Sequence, residues 1–165
     1  MTTVLSNTSD KSDSIQQWRK KVGETEANRI TKQSTDIGSM VHEALENYLN
    51  EKKWDNFTNN QEGIIASKIT EKFINSCLSS LTEVWGLEVG LILDGLYAGT
   101  ADCTGKINYI PSIIDFKNSS QLRKDEWNTD YYLQLSAYQM AHNKVYGTDI
   151  NQGVVLVCTK DLMFQ

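Results

Sequence analysis

The chain holds little that would mark it as secreted, membrane-bound or cross-linked. Its three cysteines, Cys77, Cys103 and Cys158, are odd in number and widely spaced. Such a set makes neither a disulfide framework nor a zinc or iron–sulfur site, so reduced thiols in an intracellular setting are expected. There is one proline, Pro111, and no low-complexity tract. No apolar run approaches membrane-spanning length. The polar residues after Met1 lack the apolar core of a signal peptide. A soluble intracellular protein is expected. Basic residues are outnumbered, 16 against 21, giving a net charge of −5. That excludes a polybasic binder of the histone kind. It does not exclude an enzyme of nucleic acids, whose contacts can rest on a local basic patch and on metal ions.

What is present fits one domain with a real core: 165 residues, 39% of them hydrophobic. Residues 1–14 are polar and read as loosely ordered. "SIQQWRKKVGETEANRI" reads as one or two helices broken near Gly23. Trp18 and Val22 can dock on the core from it, and Arg19, Lys20, Lys21, Arg29 and Lys32 form the densest basic segment. "DIGSMVHEALENYLNEKKW" predicts a helix with Met40, Val41, Ala44, Leu45, Tyr48 and Leu49 as one buried stripe, flanked by His42 and Glu46. Residues 55–60 predict a loop. "QEGIIASKITEKFINSCLSSLTEVW" predicts a long amphipathic helix carrying Ile64, Ile65, Ile69, Phe73, Ile74, Cys77, Leu78 and Leu81.

The periodicity then changes. "LEVGLIL", "LYAGTADCTGKI" and "PSIIDFK" predict three strands, with turns at Asp94-Gly95 and around 108–111. "EWNTDYYLQLSAYQMAHNKVYG" returns to helix, with Gly147 as its C-cap. "GVVLVCT" is a last apolar strand, reached by a crossover that allows parallel pairing. An α/β fold follows, with a central mixed sheet of an antiparallel meander and one crossover strand, flanked by helices.

The chemistry-bearing residues are scattered along this order. In "IIDFK", Asp115 and Lys117 share one face of a strand and Ile114 and Phe116 the other. Two charges at the end of an apolar strand need a partner or a metal. A salt bridge is the ordinary reading of such a pair, and a short D-x-K match is only a hypothesis. Asp102, in a stretch bracketed by Gly99 and Gly105, reads equally well as a turn residue, His42 as a hydrogen-bonded core histidine, and Gln134 with Tyr138 as a polar helix fringe. Their joint order carries more: a helical His, an acid in a second strand, acid-x-Lys in a third, then Q-x-x-x-Y on the next helix.

That order, with the local wording "WRKKVGETEANRI", "GSMVHEALENYL", "YAGTADCTG", "IIDFKNSS" and "QLSAYQMA", resembles the RecB-like branch of the PD-(D/E)xK nuclease superfamily. Within it, the chain is most similar to the phage-type and mitochondrial genome maintenance exonucleases, from about Val4 to Cys158. The resemblance implies a restriction-endonuclease-like core and a single nuclease domain over residues 1–165, working in a bacterial or phage-infected cytoplasm. It implies that His42, Asp102, Asp115 and the backbone carbonyl of Phe116 bind Mg²⁺ or Mn²⁺, with Lys117 as the catalytic lysine beside Asp115 and Asp102. Gln134 and Tyr138 would organise the site and contact the DNA backbone. Glu46 and Glu88 fall where family members often carry an acid and are expected to support the metal ligands from outside. Family members usually continue past the last strand, so a closing C-terminal element is expected to be missing.

Hard divalent ions with carboxylate ligands suit phosphodiester displacement at neutral pH, and an imidazole favours Mn²⁺ over Mg²⁺. The expected activity is therefore a metal-dependent DNA exonuclease of replication, recombination or repair, preferring single-stranded ends. Arg19, Arg29, Arg123 and Lys124 would contact phosphates, and Trp18, Trp127 and Tyr131 would offer rings to stack on bases. The alternatives are a structure-selective or nicking endonuclease on the same fold, a catalytically silent DNA-binding module, and a globular protein whose D-x-K is a salt bridge. No membrane partner and no iron–sulfur cluster are expected.

Overall fold

A computed structural model describes residues 11–122 and 124–165. Helix α1 spans Lys11–Val22 and α2 spans Glu24–Leu49. Between them Gly23 adopts φ 87°. Residues 11–14 are thus helical, within the segment expected to be loosely ordered; residues 1–10 lie outside the described residues. The two helices read from the sequence on either side of residue 35 are one, because Ile30, Ile37, Val41 and Ala44 continue a single inward stripe. Helix α3, Gln61–Ser76, starts at Asn60, whose side chain accepts from the Gly63 N–H at 2.9 Å.

The α3 segment corrects the sequence reading at its end. The helix stops at Ser76, a short 3₁₀ turn follows over Leu78–Ser80, and Leu81–Leu93 is strand β1. Leu81 pairs with Ile107 of β2, Tyr97–Ile107. Apolar residues at helical spacing here lose to sheet pairing, a non-local gain that local periodicity does not register. Ile64 and Tyr48 are also more exposed than the stripe reading implies. Strand β3, Ile110–Ser119, takes in the predicted "PSIIDFK" and extends it by one residue before and two after. Helix α4, Thr129–Tyr146, ends at Gly147 in the left-handed region, φ 66° and ψ 26°, as its C-cap role requires. Strand β4, Gln152–Thr159, is the last.

The sheet has four strands in the order β1-β2-β3-β4. β1, β2 and β3 are antiparallel neighbours, and β4 lies parallel to β3. The crossover through α4 allows that parallel pair, since a hairpin cannot make one. The molecule is therefore α/β, a mixed sheet flanked by helices. Ile114 and Phe116 of β3 pack with Val41 and Leu45 of α2 and Ile69 and Phe73 of α3. On the other face Ile113 joins Leu91, Ala101, Leu135, Tyr138 and Ala141 beneath α4. Phe73 is fully buried and meets Phe116 and Phe164 edge to face, with ring centroids at 5.6 and 5.7 Å. The three cysteines are free and buried, and burial raises each thiol well above its ordinary pKa. No helix among the described residues is long and apolar enough to cross a membrane.

Candidate metal centre

Two features of the sheet create the site. The register of β2 with β3 ends at Cys103–Ile114. Beyond it, the main chain of Phe116 has no β2 partner, and side chains take over: Asp102 Oδ2 accepts the Phe116 N–H at 2.8 Å, and His42 Nε2 lies 2.8 Å from the Phe116 carbonyl oxygen. Buried main-chain groups have to be satisfied, so a carboxylate and an imidazole close the fork between the strands. The second feature is a break in alternation. Leu87 packs on the α2–α3 face, whereas Val89 packs beneath α4; their partners Cys103 and Ala101 divide the same way. In an ordinary strand, residues two apart share a face. The chain turns over at Glu88, which sits at φ 47°. A left-handed non-glycine residue costs about 1–2 kcal/mol, and such strain gathers at functional sites.

The outcome is a cluster. One ligand-capable atom from each of His42, Glu88 and Asp102 lies within 4.8 Å of the others. His42 Nδ1 is 3.6 Å from Asp102 Oδ2 and 3.9 Å from Glu88 Oε1. The tautomer follows from the partner: a carbonyl oxygen only accepts, so Nε2 carries the proton and donates it to Phe116. In the neutral ring Nδ1 then holds a lone pair and turns it toward two carboxylates. That is the arrangement of a metal-ligating histidine, whose second nitrogen donates to a backbone carbonyl. One imidazole and two carboxylates fit a small divalent cation that keeps several waters. The cluster opens to solvent at Glu88, whose side chain is 43% exposed against 14% for Asp102. Burial, then the charge of Asp102, raise the Glu88 carboxyl above its ordinary pKa, and only a protonated His42 pulls the other way.

Asp115 and Lys117 do share a face, and they touch: Lys117 Nζ is 2.5 Å from Asp115 Oδ2. The contact is poorly directed, since Asp115 Oδ2 is buried without a hydrogen bond of good geometry. Burial pushes the Asp115 carboxyl up to about 6, against the pull of Lys117; the charges of Asp102 and His42 also reach it. Burial alone would lower the Lys117 pKa, but the Asp115 and Asp102 carboxylates outweigh it and raise the ammonium above its ordinary value. Tyr131 of α4 lies against the same ammonium, 5.5 Å from ring centroid to Nζ, a cation–π distance.

The structure brings His42 and Asp102 together on the main chain of Phe116, through the Phe116 carbonyl and N–H. It brings Glu88, expected only in support, into direct reach of the same point, while Asp115 is not part of that three-residue group. The Phe116 carbonyl, expected as a metal ligand, receives the His42 N–H. Glu46 is partly buried, and its charge acts on Glu88. Gln134 is buried and donates to the Tyr138 hydroxyl at 3.0 Å; Tyr138 lies in the core beneath α4, against Gly99 of β2. The basic segment is largely self-paired: Arg19 with Glu24 and Asn28, Arg29 with Glu26, Lys32 with Asp36. Lys124 is exposed and Trp18 half-buried; Arg123 and the side chain of Trp127 lie outside the described residues. An open concavity lined by Tyr48, Leu49, Glu51, Lys52 and Trp54 lies at the C-terminal end of α2 and includes none of the clustered residues.

Sequence reasoning undervalued Glu88 and read Tyr131 only as a ring for stacking. Within the local sequence, Glu88 shows as a lone acid between apolar residues in "LEVGLIL". No protein-family model matches this chain, and no match was found among curated proteins.

Proposed function

We propose that the fork between β2 and β3 is a Mg²⁺ or Mn²⁺ centre of a restriction-endonuclease-like nuclease, and that the protein is a DNA exonuclease preferring single-stranded ends. One observation carries the reading: His42 Nδ1 lies 3.6 Å from Asp102 Oδ2 and 3.9 Å from Glu88 Oε1 while its Nε2 meets the Phe116 carbonyl at 2.8 Å. His42, Asp102 and Glu88 would hold the ion, with Asp115 next to them. When bound, the ion would supply positive charge for a phosphodiester displacement and make a water nucleophilic at neutral pH. The remaining work falls to the chain. Lys117, kept cationic by Asp115 and steadied by Tyr131, supports the charge that grows on the phosphoryl oxygens. Gln134, through Tyr138, stiffens α4 behind that lysine.

A second reading has its own support. Asp115 and Lys117 are in direct contact and mostly buried, as a structural ion pair would be, and a silent DNA-binding module would keep the fold without the chemistry. End-labelled single- and double-stranded DNA, linear and circular, incubated with Mg²⁺, Mn²⁺ or chelator, separates these. Linear single strands should be degraded only with metal, and circles should survive. Cleaved circles would point to an endonuclease. Lys117→Ala should lower the rate by about 10²–10³-fold or more with Mn²⁺ binding kept, whereas Asp102→Ala should lose metal and rate together. A Lys117→Ala protein that cleaves at the parent rate would defeat the catalytic assignment.

A further inference from the structure

The placement of His42 depends on how α2 lies along β3. Ser34, Gly38 and His42 follow one another at intervals of four along α2, hence on one face. Phe116 and Asn118 are two apart on β3, on one side of the strand. Two contacts join these rows. His42 Nε2 meets the Phe116 carbonyl at 2.8 Å, and Asn118 Nδ2 donates to the Ser34 carbonyl at 3.3 Å. The rows are nearly commensurate, since four helical residues rise about 6 Å and two strand residues about 6.7 Å. Both contacts can therefore form together only in one register and at one separation.

Gly38 sets the separation. A Cβ there would lie 2.9 Å from Asn118 Oδ1, so the helix reaches its present distance only because residue 38 has no side chain. Asn118 has little room to retreat. Its main chain is paired with Cys158 of β4, and its amide is engaged by Ser34.

We infer that Asn118 is a positioning residue which, seated on Gly38 and the Ser34 carbonyl, holds α2 in the register that keeps His42 on Phe116 with Nδ1 facing the carboxylates. The inference rests on the metal-centre reading only for its consequence for metal. Its geometric content, the tautomer of His42, stands independently. Asn118→Ala removes the clamp. Gly38→Ala either displaces the carboxamide or lifts the helix, and both routes release His42.

The test uses the full chain labelled with ¹⁵N at histidine, of which there are two, His42 and His142. Long-range proton–nitrogen correlation in chelator, above neutral pH, reports which nitrogen carries the proton. Mn²⁺ titration followed by electron paramagnetic resonance reports affinity. The parent should show His42 as the Nε2–H tautomer. Asn118→Ala and Gly38→Ala should each give a tautomer mixture at His42, leave His142 unchanged, and weaken Mn²⁺ binding by about tenfold or more, the effect of losing an outer partner of a metal ligand. The double variant should be no weaker than Asn118→Ala alone, because the added methyl then meets no carboxamide. A purely structural role predicts otherwise, since alanine is the better helix former and should leave both readouts at parent values. Parent tautomer in both single variants, or losses that multiply in the double variant, would overturn the inference. A parent protein that binds no Mn²⁺ while the tautomer responds as stated would remove the metal centre and leave the clamp standing.

Discussion

Removing the charge of Glu88 should stabilise the metal-free protein and abolish its response to divalent ions. Ligand-capable oxygens of Glu88 and Asp102 lie within 4.8 Å. Two unit charges at that separation repel by about 3.5 kcal/mol at an effective dielectric of ~20 and by about 0.9 kcal/mol in water. Glu88 is 43% exposed on its side chain, so the watery end of that range applies, and about 1 kcal/mol is the working figure. Glu88→Gln keeps the size and the backbone cost of φ 47° while removing the repulsion. In a chain of this size, about 1 kcal/mol raises the melting temperature by about 3 °C. The gain should depend on pH with a definite sign. The folded-state pKa of Glu88 is raised, so its penalty is present in the ionised form at neutral pH and is relieved as acidification protonates it. The advantage of Glu88→Gln should therefore shrink toward acid. The assay is thermal denaturation of parent and variant in chelator and in excess Mn²⁺. Parent protein at a hundredfold excess over its dissociation constant should gain about 2.7 kcal/mol, and the variant little. A Glu88→Gln protein less stable than the parent in chelator, yet equally responsive to Mn²⁺, would refute the reasoning.

Other expectations follow from packing and titration. Phe73→Ala opens a cavity among Phe116 and Phe164 and should cost about 3–5 kcal/mol, read from urea denaturation. Gly147→Ala forces a side chain into φ 66° and should cost about 1 kcal/mol, with faster amide exchange in the last turn of α4. His142 is buried, donates through Nδ1 to Thr148 at 2.8 Å, and burial lowers its pKa below the ordinary 6.5. The unfolded chain then takes up the proton first, so stability should fall as pH drops through 6.5 and level off below the folded-state pKa. His142→Phe should flatten that part of the stability profile.

Much of the architecture could be read along the chain because it rests on local rules. The inward stripe of α2, the Gly147 stop and the alternation that sets Asp115 beside Lys117 each depend on residues a few positions apart. The end of α3 could not be read in that way. Residues 81–86 join the strand predicted at "LEVGLIL" because β2 offers them partners, and nothing within "LSSLTEVW" announces that. The candidate site divides similarly. The residue types, a helical His, strand acids and D-x-K, were visible in order. Which of them meet was not, because a strand period places Asp102 and Glu88 on faces but does not say where two strands part. The parting of β2 from β3, the reversal of β1 at Glu88 and the close seating of α2 over Gly38 bring His42 to two carboxylates. Each arises from main-chain groups that need partners and from atoms that cannot overlap, conditions that exist only once distant segments are packed together.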